Sequence, residues 1–426
     1  MISLAMLTSV AMQSCGGNAQ SERNALEQRL DSLMTAHYAD DAPGAALLIA
    51  KNGEIIYDSG RGVADMDTKQ PIDGNTAFNI ASITKQFTVI GALKLCEEGK
   101  LSLDDNVAQH FPEFESDIWK QVKLRHLLSH SSGVPDARPR NDYDFMLYAT
   151  DMQSIEYMKD LDKLKFEPGT NYDYINPTFD LFYALIPKLT GERFEDYQKR
   201  VIFDVAEMQN VQYFAADASI TNMAHGYVIN EKTITSGSDS DYAKQRDVAE
   251  KDYVDQSGKH WAECDYGEET FFATKADGGI YTTTHDFLKW ENALAQNKIV
   301  GESYRDMAYT EHIEVTGSPY CSYQNRKNTY YGLGWFIDKS FPGDTKIYHT
   351  GDNGGFQAYA CKYLKNKVNV IMFENRNDID RWSTQLEIER ILEETGILKQ
   401  YEEIGMFNNG NCLDDGILWS NGHIGK

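Results

Sequence analysis

Apolar and polar positions follow two rhythms along the chain. Residues 44 to 50, GAALLIA, form an apolar run that is followed by Lys51-Asn52-Gly53 and then by EIIYD. Two such runs joined through Asn-Gly predict a β-hairpin, because both turn residues tolerate the positive φ that a tight hairpin needs. From Ser82 the period becomes helical: Ile83, Phe87, Ile90, Ala92, Leu93 and Cys96 fall on a shared stripe, and Gly99 supplies the stop. Residues 104 to 200 read as mostly helical, broken by loops at Pro112, SSGVPDARPRN and FEPGTNYDYINP. Within them Thr178 to Leu189 forms one helix closed by Gly191. The stretch from Glu231 to Glu269 is polar and irregular and reads as a surface excursion. ADGGIYTTTHDFLKWENALA then predicts a glycine turn, a short strand and a helix starting near Thr284. The last third returns to strands: YGLGWFI, KIYHTG, FQAYACKYL and VNVIMFE, the last two separated by a Lys365-Asn366-Lys367 turn, before a helix from Ser383 to Thr395.

Strands at both ends with helices between them predict an α/β (α+β) fold, in which one antiparallel sheet, assembled from the two chain ends and flanked by helices, packs on a mostly helical subdomain. The boundaries expected are 1–22 for a leader and linker and 23–398 for the main domain. The sheet subdomain takes 23–100 and 271–398, the helical subdomain takes 101–270, and 399–426 is a C-terminal extension. A hydrophobic fraction of 41% and a charged fraction of 25% support a packed core in this chain of 426 residues. The net charge of −24 repels polyanions, so no nucleic-acid partner is expected. The apolar run Ile2 to Met12 is too short to span a membrane and resembles the core of a secretory signal. Ser14-Cys15-Gly16-Gly17 behind it resembles a bacterial lipoprotein processing site, which implies export to the cell envelope or periplasm, lipidation of Cys15 and attachment to the membrane. Cys96, Cys264, Cys321, Cys361 and Cys412 are scattered and make no C-x-x-C pair, so they read as small buried hydrophobes. A bridge such as Cys264 to Cys321 has no pattern behind it.

FNIASITKQF places Ser82 three residues before Lys85 at a helix start. A serine hydroxyl needs a neighbouring base to become a nucleophile, and residues i and i+3 share a helix face. The helix N-terminus and desolvation both favour a neutral lysine able to accept that proton. Other constellations are weaker. His126 and His130 are four apart, but HLLSH lacks the glutamate of H-E-x-x-H and reads as packing and capping below the site. There is no G-x-S-x-G elbow, phosphate loop or dinucleotide fingerprint, and no cofactor is expected.

FNIASITKQFTVIGALKLCEEGKLSLDD resembles the S-x-x-K segment of the serine β-lactamase and penicillin-binding-protein family, nearest to the class C branch with its DD-peptidase and esterase relatives. PGAALLIAKNGEIIYDSGRGVAD, VKLRHLLSHSSGVPD, ADGGIYTTTHDFLKW and YGLGW resemble further family segments. Tyr174-Ile175-Asn176 matches Y-x-N, and His349-Thr350-Gly351 in IYHTGDNGGF matches the third motif. The resemblance runs from about Gln28 to about Thr395. It implies a β-lactamase/transpeptidase-like fold and a serine hydrolase working through an acyl-enzyme without metal or organic cofactor. In that reading Ser82 is the nucleophile, and Lys85 and Tyr174 together take its proton and return it to the leaving group, either being a candidate for the base. Asn176 would bond a substrate amide carbonyl, and His349 and Thr350 a substrate carboxylate and the base network. Gly351 would let a substrate backbone approach, and the N–H groups of Ser82 and Asp352 would form the oxyanion hole. Histidine stands where the lactamase pattern has lysine, and its partial charge at neutral pH favours a peptidase or esterase. The expected substrate is a small peptide, ester or lactam. The expected enzyme is D-amino-acid peptidase/carboxypeptidase- or β-lactamase-like, with an esterase or a slow penicillin-binding sensor as alternatives.

Overall fold

The computed structural model describes residues 23–139, 142, 145, 149–215, 219–230, 251–264, 274–319 and 328–401. The leader with Cys15, the residues Cys321 and Cys412, and the extension beyond 401 lie outside the described residues. So do 231–250 and 265–269 of the expected surface excursion.

A helix over 23–37 (α1) precedes the strands β1 (Ala45–Lys51) and β2 (Glu54–Arg61). Asn52 at φ 55° and Gly53 at φ 84° make the hairpin turn between them, as the Asn-Gly signal predicts. Near the other end come β3 (Ile313–Glu314), β4 (Thr329–Tyr331), β5 (Phe336–Asp338), β6 (Lys346–Asn353), β7 (Phe356–Tyr363) and β8 (Val368–Glu374). All eight form one antiparallel sheet in the order β2-β1-β8-β7-β6-β5-β4-β3. The two chain ends meet at β1 and β8, with Ala45 opposite Glu374 and Lys51 opposite Val368. GAALLIA does not alternate because β1 is covered on both faces. Leu47 and Ile49 face α1 and the helix α6 (Arg381–Glu394), with Leu30, Ile388 and Leu392. Ala46 and Leu48 face the larger core, which holds α2 (Thr84–Glu97) and α5 (Thr284–Ala295). Between them in the chain are α3 (Asp151–Lys159) and α4 (Pro177–Thr190), the latter closed by Gly191 at φ 74°.

Three expectations are corrected. YGLGWFI is two strands, β4 and β5, separated by a turn at Gly334 with φ 79°. The helix after Ser82 is no amphipathic stripe: Thr84 to Leu93 and Leu95 are all buried, because sheet, α5 and the helical region surround α2. Phe87 stacks on Trp290 of α5 with ring centres 4.2 Å apart. Finally, residues 251–264 hold strands at Tyr253–Val254 and His260–Glu263, paired with Tyr227–Ile229. Their alternation is too short to stand out among charged neighbours, yet Trp261 and Cys264 are fully buried. Cys361 is buried as well and Cys96 partly so.

Candidate active site

Ser82 lies in a single 3-10 turn, Ala81–Ile83, that feeds straight into α2. Ala81 before it sits at φ 46°, a conformation that L side chains rarely take and that persists only when neighbours impose it. Here Asn79 imposes it: its Oδ1 accepts from the Ala81 N–H at 2.8 Å and from Asn353 Nδ2 at 3.1 Å. The strand residues Phe78 and Asn79 pair with Thr282 and Tyr281, which follow a one-turn helix at Lys275–Gly278. Thr88 Oγ1 donates to the Ala276 carbonyl at 2.6 Å, and Thr84 Oγ1 accepts from the Ile280 N–H at 3.2 Å. This stitching fixes residue 277 over the first turn of α2.

Lys85 is the consequence. Its Nζ donates to the Asp277 carbonyl at 2.8 Å and stands 3.0 Å from Ser82 Oγ, with no exposed surface. Burial pulls the Lys85 ammonium down to about 8, against the opposing charges of Asp277 and Asp180. The ring of Tyr174 lies across the cleft, 5.2 Å from Lys85 Nζ. His130, predicted to pack and cap below the site, does hold this segment. Its Nδ1 accepts from the Ile175 N–H at 3.2 Å, and its ring centre is 4.1 Å from that of Tyr174. Burial, with the charges of Lys85 and His349, keeps His130 well below the ordinary histidine range, so it stays a neutral acceptor. His126 likewise caps its own turn, accepting from the Lys123 N–H at 3.2 Å. Asn176 precedes α4 but makes no cap bond; its Oδ1 is buried with no partner among the described residues, and it lines the cleft with Ser82.

On the opposite wall, β6 runs against the nucleophile turn. A Cβ at Gly351 would meet the Ile80 carbonyl oxygen at 2.2 Å, so only glycine permits this approach. The structure places His349 differently from its expected contact with a substrate carboxylate. The residue is 1% exposed, its Nδ1 is 2.7 Å from the Thr350 carbonyl and its Nε2 is 3.0 Å from Tyr331 Oη. A carbonyl only accepts, so Nδ1 carries a proton toward Thr350, while Nε2 pairs with Tyr331 Oη, and both nitrogens are engaged within the protein. Thr350 opposes Tyr359, which belongs to the α6 core, so strand alternation turns its side chain away from Ser82. The Asp352 carboxylate is likewise gripped by Arg381 of α6, at 2.9 and 3.1 Å. Sequence reasoning missed Tyr331, Arg381 and Asp277. Only Asp277 carried a signal, a lone carboxylate before two glycines in ADGGIY.

Among the described residues no cluster of three or more His, Cys, Asp or Glu is arranged to hold a metal. A serine whose lysine is buried at hydrogen-bond distance, on this mixed fold, defines a serine hydrolase of the acyl-enzyme type. A family model described as Beta-lactamase matches residues 25–387, and the chain belongs to that family. Penicillin-binding protein 4* of Bacillus subtilis is 26% identical over 371 residues, covering 84% of this chain and 73% of that protein. The octameric penicillin-binding protein homologue from Pyrococcus abyssi superposes with a TM-score of 0.68 at 24% identity, over 87% of this chain and 77% of that one. The D-amino acid amidase from Ochrobactrum anthropi SV3 gives 0.67 at 21% identity, over 88% of this chain and 99% of that one. No helix of the described residues is long and apolar enough to cross a membrane.

Proposed function

We propose that Ser82 acylates itself on small amides or esters. The observation that carries this is Lys85 Nζ at 3.0 Å from Ser82 Oγ, with its ammonium lowered to about 8 by burial. A lysine in that range is neutral often enough near pH 8 to act as a base. It takes the Oγ proton as the Oγ–carbon bond forms. That proton passes, through Lys85 or Tyr174, to the leaving nitrogen or oxygen as its bond to carbon breaks. Water then attacks the acyl carbon, gives up a proton to the same groups, and releases the acid as Ser82 recovers its hydrogen.

Strand β5 pairs with β6 from Lys346 to Tyr348, so among the described residues this ladder stops before Gly351 and Asp352. Counting back from the two-residue turn at Gly354-Gly355, ladder alternation aims the Asp352 N–H away from β7 toward the β5 side. This supports Ser82 and Asp352 as oxyanion donors and β6 as a platform for an extended substrate. His349, buried with both ring nitrogens engaged by the protein, supports a peptidase, amidase or esterase over a β-lactamase or carboxypeptidase, whose substrates bring a carboxylate to be bound. The name of the amidase neighbour fits this substrate class. Lipidation of Cys15 remains part of the reading, and incorporation of a labelled fatty acid that survives Cys15→Ala would remove it.

A fluorescent penicillin and a small ester, each offered to the protein and to Ser82→Ala, provide the test, followed by intact mass and turnover. Ester turnover with a transient adduct on Ser82 is expected, with little penicillin turnover. Turnover retained in Ser82→Ala would sink the mechanism.

A further inference from the structure

The two N–H groups assigned to the oxyanion are not equally prepared to receive charge. That of Ser82 belongs to a 3-10 turn running straight into α2, so the helix adds its partial positive charge there. That of Asp352 lies in the strand β6, where successive peptide dipoles alternate and nearly cancel. Asp352 also carries a carboxylate, whose charge opposes the anion that its own N–H must receive. Left to itself, it is the poorer donor. Glycine at 351, required by the close approach of the Ile80 carbonyl, adds little restraint to the peptide between them.

Arg381 answers each of these weaknesses. It is the first residue of α6 and only 9% exposed. A cation in the first turn of a helix opposes the helix dipole, so its placement does not serve α6. The turn that carries it is nevertheless fixed: Asp380 Oδ1 accepts from the Trp382 N–H at 3.1 Å, and Oδ2 accepts from Ser383 Oγ at 2.6 Å. From there Arg381 Nη1 donates to the Gly351 carbonyl at 3.1 Å and to Asp352 Oδ1 at 2.9 Å. Nη2 donates to Asp352 Oδ2 at 3.1 Å. The Gly351 carbonyl and the Asp352 N–H are opposite ends of one planar peptide group, so a clamp on the first sets the direction of the second. A cation at the carbonyl also draws electron density through the amide and strengthens its N–H as a donor. The same fork neutralises the Asp352 carboxylate.

We propose that Arg381 is a positioning residue for acyl transfer: it fixes and polarises the Gly351–Asp352 peptide, so that the Asp352 N–H equals the helix-backed N–H of Ser82 as an oxyanion donor. Arg381 does for the strand what the start of α2 does for the nucleophile turn. This rests on Ser82 being the acylating group and on these two N–H groups being the oxyanion donors. The negative charge they meet is largest on the tetrahedral intermediate and small on the bound substrate. Loss of Arg381 therefore falls on kcat and leaves KM nearly unchanged.

An aryl acetate and its thionoacetate, in which sulfur replaces the scissile carbonyl oxygen, test it, because sulfur accepts hydrogen bonds weakly. The wild-type protein is expected to be labelled on Ser82 by a fluorophosphonate and to prefer the oxygen ester. In Arg381→Met, kcat on the oxygen ester is expected to fall about tenfold, part of the roughly 10²- to 10³-fold that a whole oxyanion donor is worth. The preference for oxygen over sulfur should shrink by a similar factor. Arg381→Lys keeps the charge but not the fork, and its preference should fall between the two. Should circular dichroism show that Arg381→Met does not fold, the lysine variant decides alone. If Arg381 only packs α6 on the sheet, both esters lose activity by the same factor and the oxygen preference stands; that result overturns the proposal. Labelling of Ser82 in a wild-type protein without an oxygen preference overturns the oxyanion assignment and the role of Arg381 with it, and leaves the nucleophile intact. Failure to label Ser82 overturns the acylation reading itself.

Discussion

Buried carboxylates are treated in opposite ways at the two ends of β6. Before its start, Asp344 is 8% exposed and every bond it can use is made. Its oxygens accept from the N–H groups of Thr345, Lys365 and Asn366 and from Asn366 Nδ2, all within 2.7–2.9 Å. Lys346 beside it is clamped between Asp338 and Glu389 at 3.3 and 3.0 Å, which holds its ammonium well above the usual range. Near the far end, by Ser82, neither Asp180 nor Asp277 Oδ1 has a hydrogen-bond partner among the described residues. One end is arranged for stability, with each buried charge answered by the chain itself. The other leaves acceptors open at a cost in stability, which a protein tolerates where a ligand or a reaction requires it.

The sharpest way to break this contrast is Lys85→Met, which keeps the length of the side chain and removes its amine. Activity on a small ester should fall on the order of 10³-fold or more, as loss of a general base does. Melting temperature should change little beside that loss, because relief from burying an ammonium lowered to about 8 opposes the loss of its charge and hydrogen bond at Asp277. A large loss of stability with modest loss of activity would assign Lys85 to the structural end instead.

Asp344→Ala should do the reverse. It strands three backbone N–H groups and an amide in a buried turn, at a cost of about 2 to 4 kcal/mol. Measured by denaturant midpoint at an unchanged m-value, that loss should come without a change in kcat on the ester at temperatures well below melting. A fall in kcat of the folded variant would mean that the two ends of β6 are coupled.

A third measurement uses pH. Ester turnover, free of any substrate amine, should rise about tenfold per pH unit below pH 8 and level off above it, as the neutral lysine becomes the major form. Asp277 raises the Lys85 ammonium by its negative charge, so Asp277→Asn should move that limb to lower pH. A profile flat from pH 6 to 9 would leave Lys85 without a role as base.

Much of this was legible in the sequence, and the reason is local. The hairpin at Asn52-Gly53, the helix stops at Gly99 and Gly191, and the turn after Tyr363 depend on neighbours a few residues away. The spacing of Ser82 and Lys85 is equally local, and the structure brings them together. What was not legible depends on packing between distant segments. No local rule says that His349 is buried under Tyr174, Tyr331 and Phe336, or that Arg381 reaches back to Asp352. The all-round burial of α2 is hidden for the same reason: apolar spacing suggests one buried face, while Gln86 and Thr88 lie on other faces and are covered too. Asp277 of the cleft and the buried Asp151 and Asp180 that act on one another's charge come from three segments, the turn at Lys275–Gly278, α3 and α4, and each looks like an ordinary surface carboxylate until the segments meet.

Asp180→Asn is the smallest and most discriminating of these changes. Burial raises the Asp180 carboxyl well above its ordinary value, so the native state binds a proton more tightly than the unfolded chain does. Above the unfolded value, near pH 4, every further rise in pH therefore removes stability from the wild-type protein, until the native carboxyl also ionises. The amide does not titrate. At pH 4 the two proteins should melt close together, and by pH 8 the variant should be the more stable, by a margin that grows with pH. An offset constant from pH 4 to 8 would mean that Asp180 is as well served as Asp344, and the contrast between the two ends of β6 would be gone.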